Sequence, residues 1–223
     1  MKKTIIAVDT ETGGTGELQC RSHALLSIGA YYLTPEGGPP SKFHQLILPE
    51  EHLKMEPEAV AVNGYDREVW KMGGAVDEAR AIVRFLNWLA MAKAVLRNGK
   101  LQLVAHNAGH DRGFINAAFN RYSLLDTLEG DDGLISRRWR CSCALMGSLQ
   151  DVGILPPEGG ASLDNLTALR LGVGIDSVKA MRKVHSADMD AELCWRGYDW
   201  MLGPLRSQAD ELGEVVAEGR AAA

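Results

Sequence analysis

Asp9 and Glu11 stand two residues apart at the end of an apolar, β-branched run, Ile5-Ile6-Ala7-Val8, and the glycine pair Gly13-Gly14 follows them. Such a run reads as a buried strand closed by a tight turn. Side chains two apart on a strand share a face, so both carboxylates point into one small volume. Like charges held that close raise each other's pKa unless a cation neutralises them. All-oxygen sites of this sort suit hard divalent ions such as Mg²⁺ or Mn²⁺. Taken alone, an Asp-x-Glu reads first as a strand end with two solvated acids.

Two later groups bear on that choice. Asp111 follows His106-Asn107, just beyond a short apolar stretch at 101–105. Open α/β sheets carry their ligand sites at that end of a strand, although the macrodipole also favours an acid at a helix start. His185 and Asp190 belong to His185-Ser186-Ala187-Asp188-Met189-Asp190, at the entry to the last amphipathic stretch. Their spacing lets both face one pocket, and an imidazole is suited to taking a proton from water. A surface histidine followed by helix-start acids is the alternative there.

In order, Asp9-x-Glu11, Asp111 and His185-x-Ala187-x-x-Asp190 make a pattern that resembles the DEDDh exonucleases, the DnaQ-like proteins of the ribonuclease H-like superfamily. Thr10 and Thr12 around Glu11, and Leu163-Asp164-Asn165-Leu166 ahead of the histidine, add to the resemblance. It covers nearly the whole chain and is nearest to ribonuclease T and polymerase-proofreading subunits. One departure is His110, which stands where that family usually has an aromatic residue before the third acid.

The resemblance implies a 3′–5′ exonuclease that releases nucleoside 5′-monophosphates from the 3′ ends of single-stranded DNA or RNA. It implies two divalent ions, Mg²⁺ or Mn²⁺, about 4 Å apart, clamping an in-line phosphodiester displacement. Asp9, Glu11, Asp111 and Asp190 would hold them and His185 would be the general base. Thr10, Thr12, Gly13, His106 and Asn107 would lie against the substrate. An exoribonuclease of the ribonuclease T or oligoribonuclease type, a non-catalytic polymerase-associated binding module and a small-molecule phosphohydrolase are the competing readings.

Cations that could grip a strand stand in two clusters, Arg137-Arg138-Trp139-Arg140 and Lys179, Arg182 and Lys183, with Arg138 and Lys183 the expected contacts. Each cluster is equally well a solvated surface. The formal charge of −5 argues against a strong non-specific duplex binder, whose affinity comes from neutralised phosphates, but not against an enzyme that engages a few phosphates through metal ions.

The elements that must position these groups follow from periodicity. Apolar runs at 24–33 and 43–48 give two further strands of an antiparallel meander, and 75–96 carries apolar residues at helical spacing. Stretch 101–105 is then a crossover strand, and 112–122 a helix. Residues 125–136 read as a surface loop and 137–141 as a final strand. Helices are expected at 144–152, at 162–171 with Ser162 as N-cap, and at 188–202, where Gly203-Pro204 ends the last one. The expected fold is α/β, a ribonuclease H-like mixed sheet (a three-strand antiparallel meander plus crossover strands) flanked by helices. Residues 1–205 form the exonuclease domain and 206–223 a polar tail, either a frayed helix or disordered.

At 223 residues, 46% of them apolar, the chain can bury a sizeable core. Cys20, Cys141, Cys143 and Cys194 are too few and scattered for a disulfide framework, which points to a cytoplasmic protein with reduced thiols. No apolar run reaches membrane-spanning length, so no membrane partner is expected; a polymerase or a second copy of the chain are the protein partners the resemblance suggests.

Overall fold

Strand β1 (Ile5–Thr12) is the middle of the molecule because it is buried on both faces. A computed structural model describes residues 5–34, 38–97, 99–182 and 185–221, with backbone alone for residue 17 and for 208–221. The meander is as expected: β1 pairs antiparallel with β2 (Leu25–Leu33), and β2 antiparallel with β3 (Pro40–Leu48). Two short helices, α1 (Pro57–Asn63) and α2 (Arg67–Met72), then lead to β4 (Val76–Asp77), which pairs parallel with β3 at the sheet edge. That strand takes the first residues of the stretch read as one long helix. Helix α3 (Glu78–Leu96) starts only after Asp77, whose side chain accepts from the Arg80 amide at 2.8 Å.

Helix α3 returns the chain to β5 (Gln102–Ala105), which lies parallel to β1 with Ile5 opposite Gln102 and Ala7 opposite Val104. Helices α4 (Ala108–Arg121) and α5 (Leu125–Glu129) and the edge strand β6 (Arg140–Cys141) follow. Then come α6 (Ser142–Asp151), α7 (Leu163–Leu171), α8 (Ile175–Met181) and α9 (Ala187–Ala221). Among the described residues the sheet has six strands in the order β4-β3-β2-β1-β5-β6, a mixed sheet flanked by helices.

Alternation along β1 divides the core. Ile6 and Val8 face a cluster filled by Phe85, Leu89, Phe114 and Phe119 of α3 and α4, whereas Ala7 faces Met146, Leu166, Cys194 and Tyr198 of α6, α7 and α9. Asp9 and Glu11 share the parity of Ala7 and so face α9. That helix buries Ala187, Ala191, Cys194, Tyr198 and Met201 at three- and four-residue spacing, and Trp195 donates its indole N–H to the Ile5 carbonyl at 2.9 Å.

Two expectations fail. Residues 125–136 are not a surface loop: Leu128 and Ile135 are fully buried, and Leu101 bridges to Ile135. Its acids and glycines masked leucines that close the bottom of the first cluster. Nor does Gly203-Pro204 stop the last helix, which runs through Ala221 with Pro204 inside. A proline there forfeits one backbone hydrogen bond. Packing on both sides holds the helix together: Met201 and Leu205 meet the second cluster, and an Arg206–Asp199 ion pair at 2.8 Å spans the proline. Among the described residues, no helix is long and apolar enough to cross a membrane.

Candidate active site

β1 continues past its apolar residues because β2 pairs with it as far as Thr12 opposite Leu25. The register slips between Glu11 and Thr12, an irregularity of the kind that re-aims side chains at functional edges. Beyond it Gly13 is locked into the protein: its amide donates to the Ala24 carbonyl at 2.8 Å and its carbonyl accepts from the Glu56 amide at 2.7 Å. A Cβ on Gly13 would stand 2.8 Å from the Lys54 carbonyl oxygen, so the glycine serves close packing. Gly13 is buried and does not line the neighbouring cleft; Gly14 does.

That cleft has a volume of about 270 Å³ and is lined by Thr10, Glu11, Thr12, Asn63, Asn107 and His110, among others. Thr10 and Thr12 reach it, yet their hydroxyls are engaged within the protein. The Thr10 amide and hydroxyl both donate to Asp111 Oδ1, each at 2.9 Å. Thr12 donates to the Gly14 carbonyl at 2.7 Å and meets His110 Nε2 at 3.2 Å. His110 also packs on Phe114, ring centroids 4.8 Å apart, so it does take over the packing place of an aromatic. Asn63 is buried and donates to the Thr12 carbonyl at 3.1 Å.

Asp111 arrives from the other side. The chain leaves β5, turns at Asn107 in the left-handed region (φ 69°) and enters α4, whose first turn carries Asp111. Asparagine tolerates that conformation better than most residues. The helix therefore begins about a turn earlier than its apolar spacing indicates, and Asp111 is 2% exposed. His106 lies apart from this cleft. Its Nδ1 is 2.9 Å from Ser142 Oγ, and burial lowers its pKa to about 4.

Helix α9 supplies the last pieces. Asp190 is 3% exposed, and His185 Nδ1 lies 3.5 Å from Asp190 Oδ2. Glu11, His185 and Asp190 each offer a ligand atom, all within 4.8 Å of one another. The four carboxylates sense one another. Burial, then the charges of Asp111, Asp190 and Glu11, push Asp9 well above the usual carboxylate range. Burial followed by Asp190 and Asp111 raises Glu11 to about 7. Asp111 also rises to about 7, chiefly through burial, against the opposing Thr10 hydrogen bonds. Glu11 Oε1 is buried with no hydrogen-bond partner, which leaves that oxygen open to a cation. An oxygen-rich set with one imidazole fits hard divalent ions.

Sequence reading passed over Arg182 as one cation in a basic run. It is buried against the acids, donating from Nε to Asp190 Oδ1 at 3.0 Å and from Nη2 to Asp190 Oδ2. Nη1 reaches Asp164. The Leu163-Asp164-Asn165-Leu166 motif was the available signal, since its acid needs a partner.

Of the other proposed strand contacts, Arg138 is not brought here. The Arg138 carbonyl accepts from the Gln102 side chain, at the start of β5 and so at the opposite end of the sheet from Glu11. Trp139 is half-buried against the first core cluster and is no stacking platform. The five residues read as a strand, 137–141, yield only the short β6 because Trp139 turns inward. Lys183 lies outside the described residues.

A family model for exonucleases matches residues 6–196, from β1 into α9, and so includes Asp9, Glu11, Asp111, His185 and Asp190. The chain belongs to the exonuclease family. It is 32% identical over 123 residues to ribonuclease T of Shewanella baltica, a match covering 53% of this chain and 53% of the relative. The chain thus spans about half the length of the curated relatives it matches. Its fold is similar to that of E. coli exonuclease I in complex with a dA16 oligonucleotide, with TM-score 0.58 and 18% identity over 89% of this chain and 43% of the other. It is also similar to the nuclease domain of 3′hExo, a DEDDh family member, bound to rAMP, with TM-score 0.54 and 14% identity over 87% and 90%. At such identities the likeness is one of fold. The exonuclease family depends on divalent metal ions.

Proposed function

We propose that this exonuclease-family chain removes nucleotides one at a time from the 3′ end of single-stranded nucleic acid, with Asp9, Glu11, Asp111 and Asp190 holding two Mg²⁺ or Mn²⁺ ions. The observation that carries this is the buried, unpartnered Glu11 Oε1 among carboxylates whose pKa values are raised together. When bound, the ions neutralise the phosphate and lower the cost of generating an oxygen nucleophile. The protein does the rest. Thr10 fixes Asp111 through two hydrogen bonds, so that acid pays little entropy on binding.

His185, beside Asp190 and 44% exposed at its side chain, is placed to take a proton from water as its oxygen attacks phosphorus. The P–O3′ bond breaks, O3′ takes a proton from solvent to become the 3′-hydroxyl of the shortened strand, and a nucleoside 5′-monophosphate leaves. The cleft beside Thr10, Thr12 and Asn63 adjoins the acids and is where a terminal nucleotide would lie, and reaching it favours an unpaired end. An exonuclease I bound to an oligodeoxynucleotide and a DEDDh domain bound to rAMP share this fold, so either sugar is compatible with it. Four free cysteines support a reducing, cytoplasmic setting.

The test is release of 5′-mononucleotides from a matched panel of DNA and RNA, single- and double-stranded, with free and blocked 3′ ends. Mg²⁺- or Mn²⁺-dependent release from free single-stranded 3′ ends that is lost in Asp9→Asn is expected. An unchanged rate in Asp9→Asn would overturn the assignment.

A further inference from the structure

Arg182 is a cation seated where cations are expected to bind. Its side chain is 5% exposed, and Nε and Nη2 together engage both oxygens of Asp190. A divalent ion shared by Glu11 and Asp190 must approach an oxygen that already faces the guanidinium. Two positive centres on one buried carboxylate repel strongly, because little water screens them. The two therefore compete.

The guanidinium has a second anchor. Nη1 pairs with Asp164 of α7, whose side chain is 21% exposed against 4% for Asp190. Asp164 lies towards the surface and Asp190 towards the acids. An arginine that lets go of Asp190 stays paired and does not become a buried, isolated charge. Asp9 and Glu11 also sense the Arg182 charge from β1, and His106, which senses both Arg182 and Asp164, is kept from charging by burial and does not compete for either acid.

We infer that Arg182 is a built-in counter-cation that occupies Asp190 in the metal-free protein and is displaced towards Asp164 when divalent ions bind. It rests on the metal-binding reading above. In this role Arg182 is a positioning residue: it keeps the crowded acids folded without ions and sets the metal concentration at which the site fills.

The test is calorimetric titration of Mn²⁺ into the full chain, together with melting temperatures with and without saturating Mn²⁺. Arg182→Gln removes the competitor, so Mn²⁺ binding should tighten by at least about fivefold, the lower end of ordinary coupling between sites. The metal-free variant should melt below wild type and regain most of the difference with Mn²⁺. Asp164→Asn removes the outer anchor and should weaken Mn²⁺ binding by a similar factor. In the Arg182→Gln background, the same change at Asp164 should have no effect. Should Arg182→Gln fail to fold, Arg182→Lys, whose single ammonium cannot hold both Asp190 oxygens and Asp164 at once, takes its place in the single and the double variant with the same expected outcomes. Equal or weaker Mn²⁺ binding by Arg182→Gln would mean that the arginine merely holds Asp190. Equal weakening by Asp164→Asn with and without Arg182 would mean that Asp164 acts by its charge alone. Either result overturns the proposal while leaving the metal site standing, whereas a wild-type chain that binds no Mn²⁺ sinks both.

Discussion

Gly29 of β2 meets the backbone of Ala187 so closely that a Cβ built on it would stand 2.1 Å from the Ala187 carbonyl carbon and 2.3 Å from the Asp188 amide nitrogen. Gly29 is also the residue paired opposite Asp9. The missing side chain therefore lets the start of α9 settle beside the strand that carries two of the acids, and Asp190 follows three residues later. Gly29→Ala must push α9 outward, since the obstacle is backbone and not a flexible tip. We predict destabilisation of about 1–3 kcal/mol, the usual cost of overpacking. Loss of nuclease activity should exceed what the fraction unfolded explains. Thermal melts and 3′-end release measured on the same preparation check this; full activity in a folded variant would show that α9 has slack.

Removing one of the repelling acids should stabilise the metal-free chain even as it disables it. Glu11 is raised from 4.5 to about 7, mainly by burial and then by Asp190 and Asp111. Its charge at pH 8 thus opposes folding. Discounting for coupling among the acids, Glu11→Gln should gain about 2 kcal/mol there, or roughly 4–8 °C in melting temperature for a chain of this size. Cleavage should fall to background. Melting in a chelator at pH 8 decides it: an unchanged or lower melting temperature would mean that the acids are already neutralised from within.

What could be read from the residues was what is local. Asp9 and Glu11 lie two apart on a strand, and period two alone puts them on one face. The order of Asp111, His185 and Asp190 along the chain carried the resemblance to DEDDh exonucleases. Contacts that depend on which elements meet were out of reach. Gly29 looks like any strand glycine until α9 lies on it. Arg182 looks like one charge in a basic run until Asp164 and Asp190 close around it. Arg138 is as basic as a strand-binding residue should be, but strand order sets it at the far end of β5. Gly13, next to the acids in sequence, is walled off by Lys54 and Glu56.

Without metal, stability should fall as pH rises. Glu11 and Asp111 are both raised to about 7 from 4.5 and 3.8. Between those limits the folded chain holds protons that the unfolded chain has lost, so stability declines through that window and stays low above it. His106 opposes this: its pKa is lowered from 6.5 to about 4, so its neutral form contributes stability above 6.5 that is lost as pH falls. Two carboxylates outweigh one imidazole. The melting temperature in chelator should therefore be higher at pH 5.5 than at pH 8, and Mg²⁺ should restore it at pH 8. A rising profile in chelator would show that the acids are not crowded.

His185 separates proton transfer from metal binding. It lies 3.5 Å from Asp190, with its side chain 44% exposed, open to the solvent from which an attacking water comes. Removing a general base ordinarily costs about a hundredfold or more in rate. His185→Ala should show that loss under saturating Mn²⁺, with the Mn²⁺ affinity largely kept and the pH dependence of the single-turnover rate flattened on its acid side. The same imidazole is also within ligand range of the atoms offered by Glu11 and Asp190, so a second role has a distinct signature. Rate and Mn²⁺ affinity lost together would make His185 a ligand. A wild-type rate with an unchanged pH profile would leave the proton to another group.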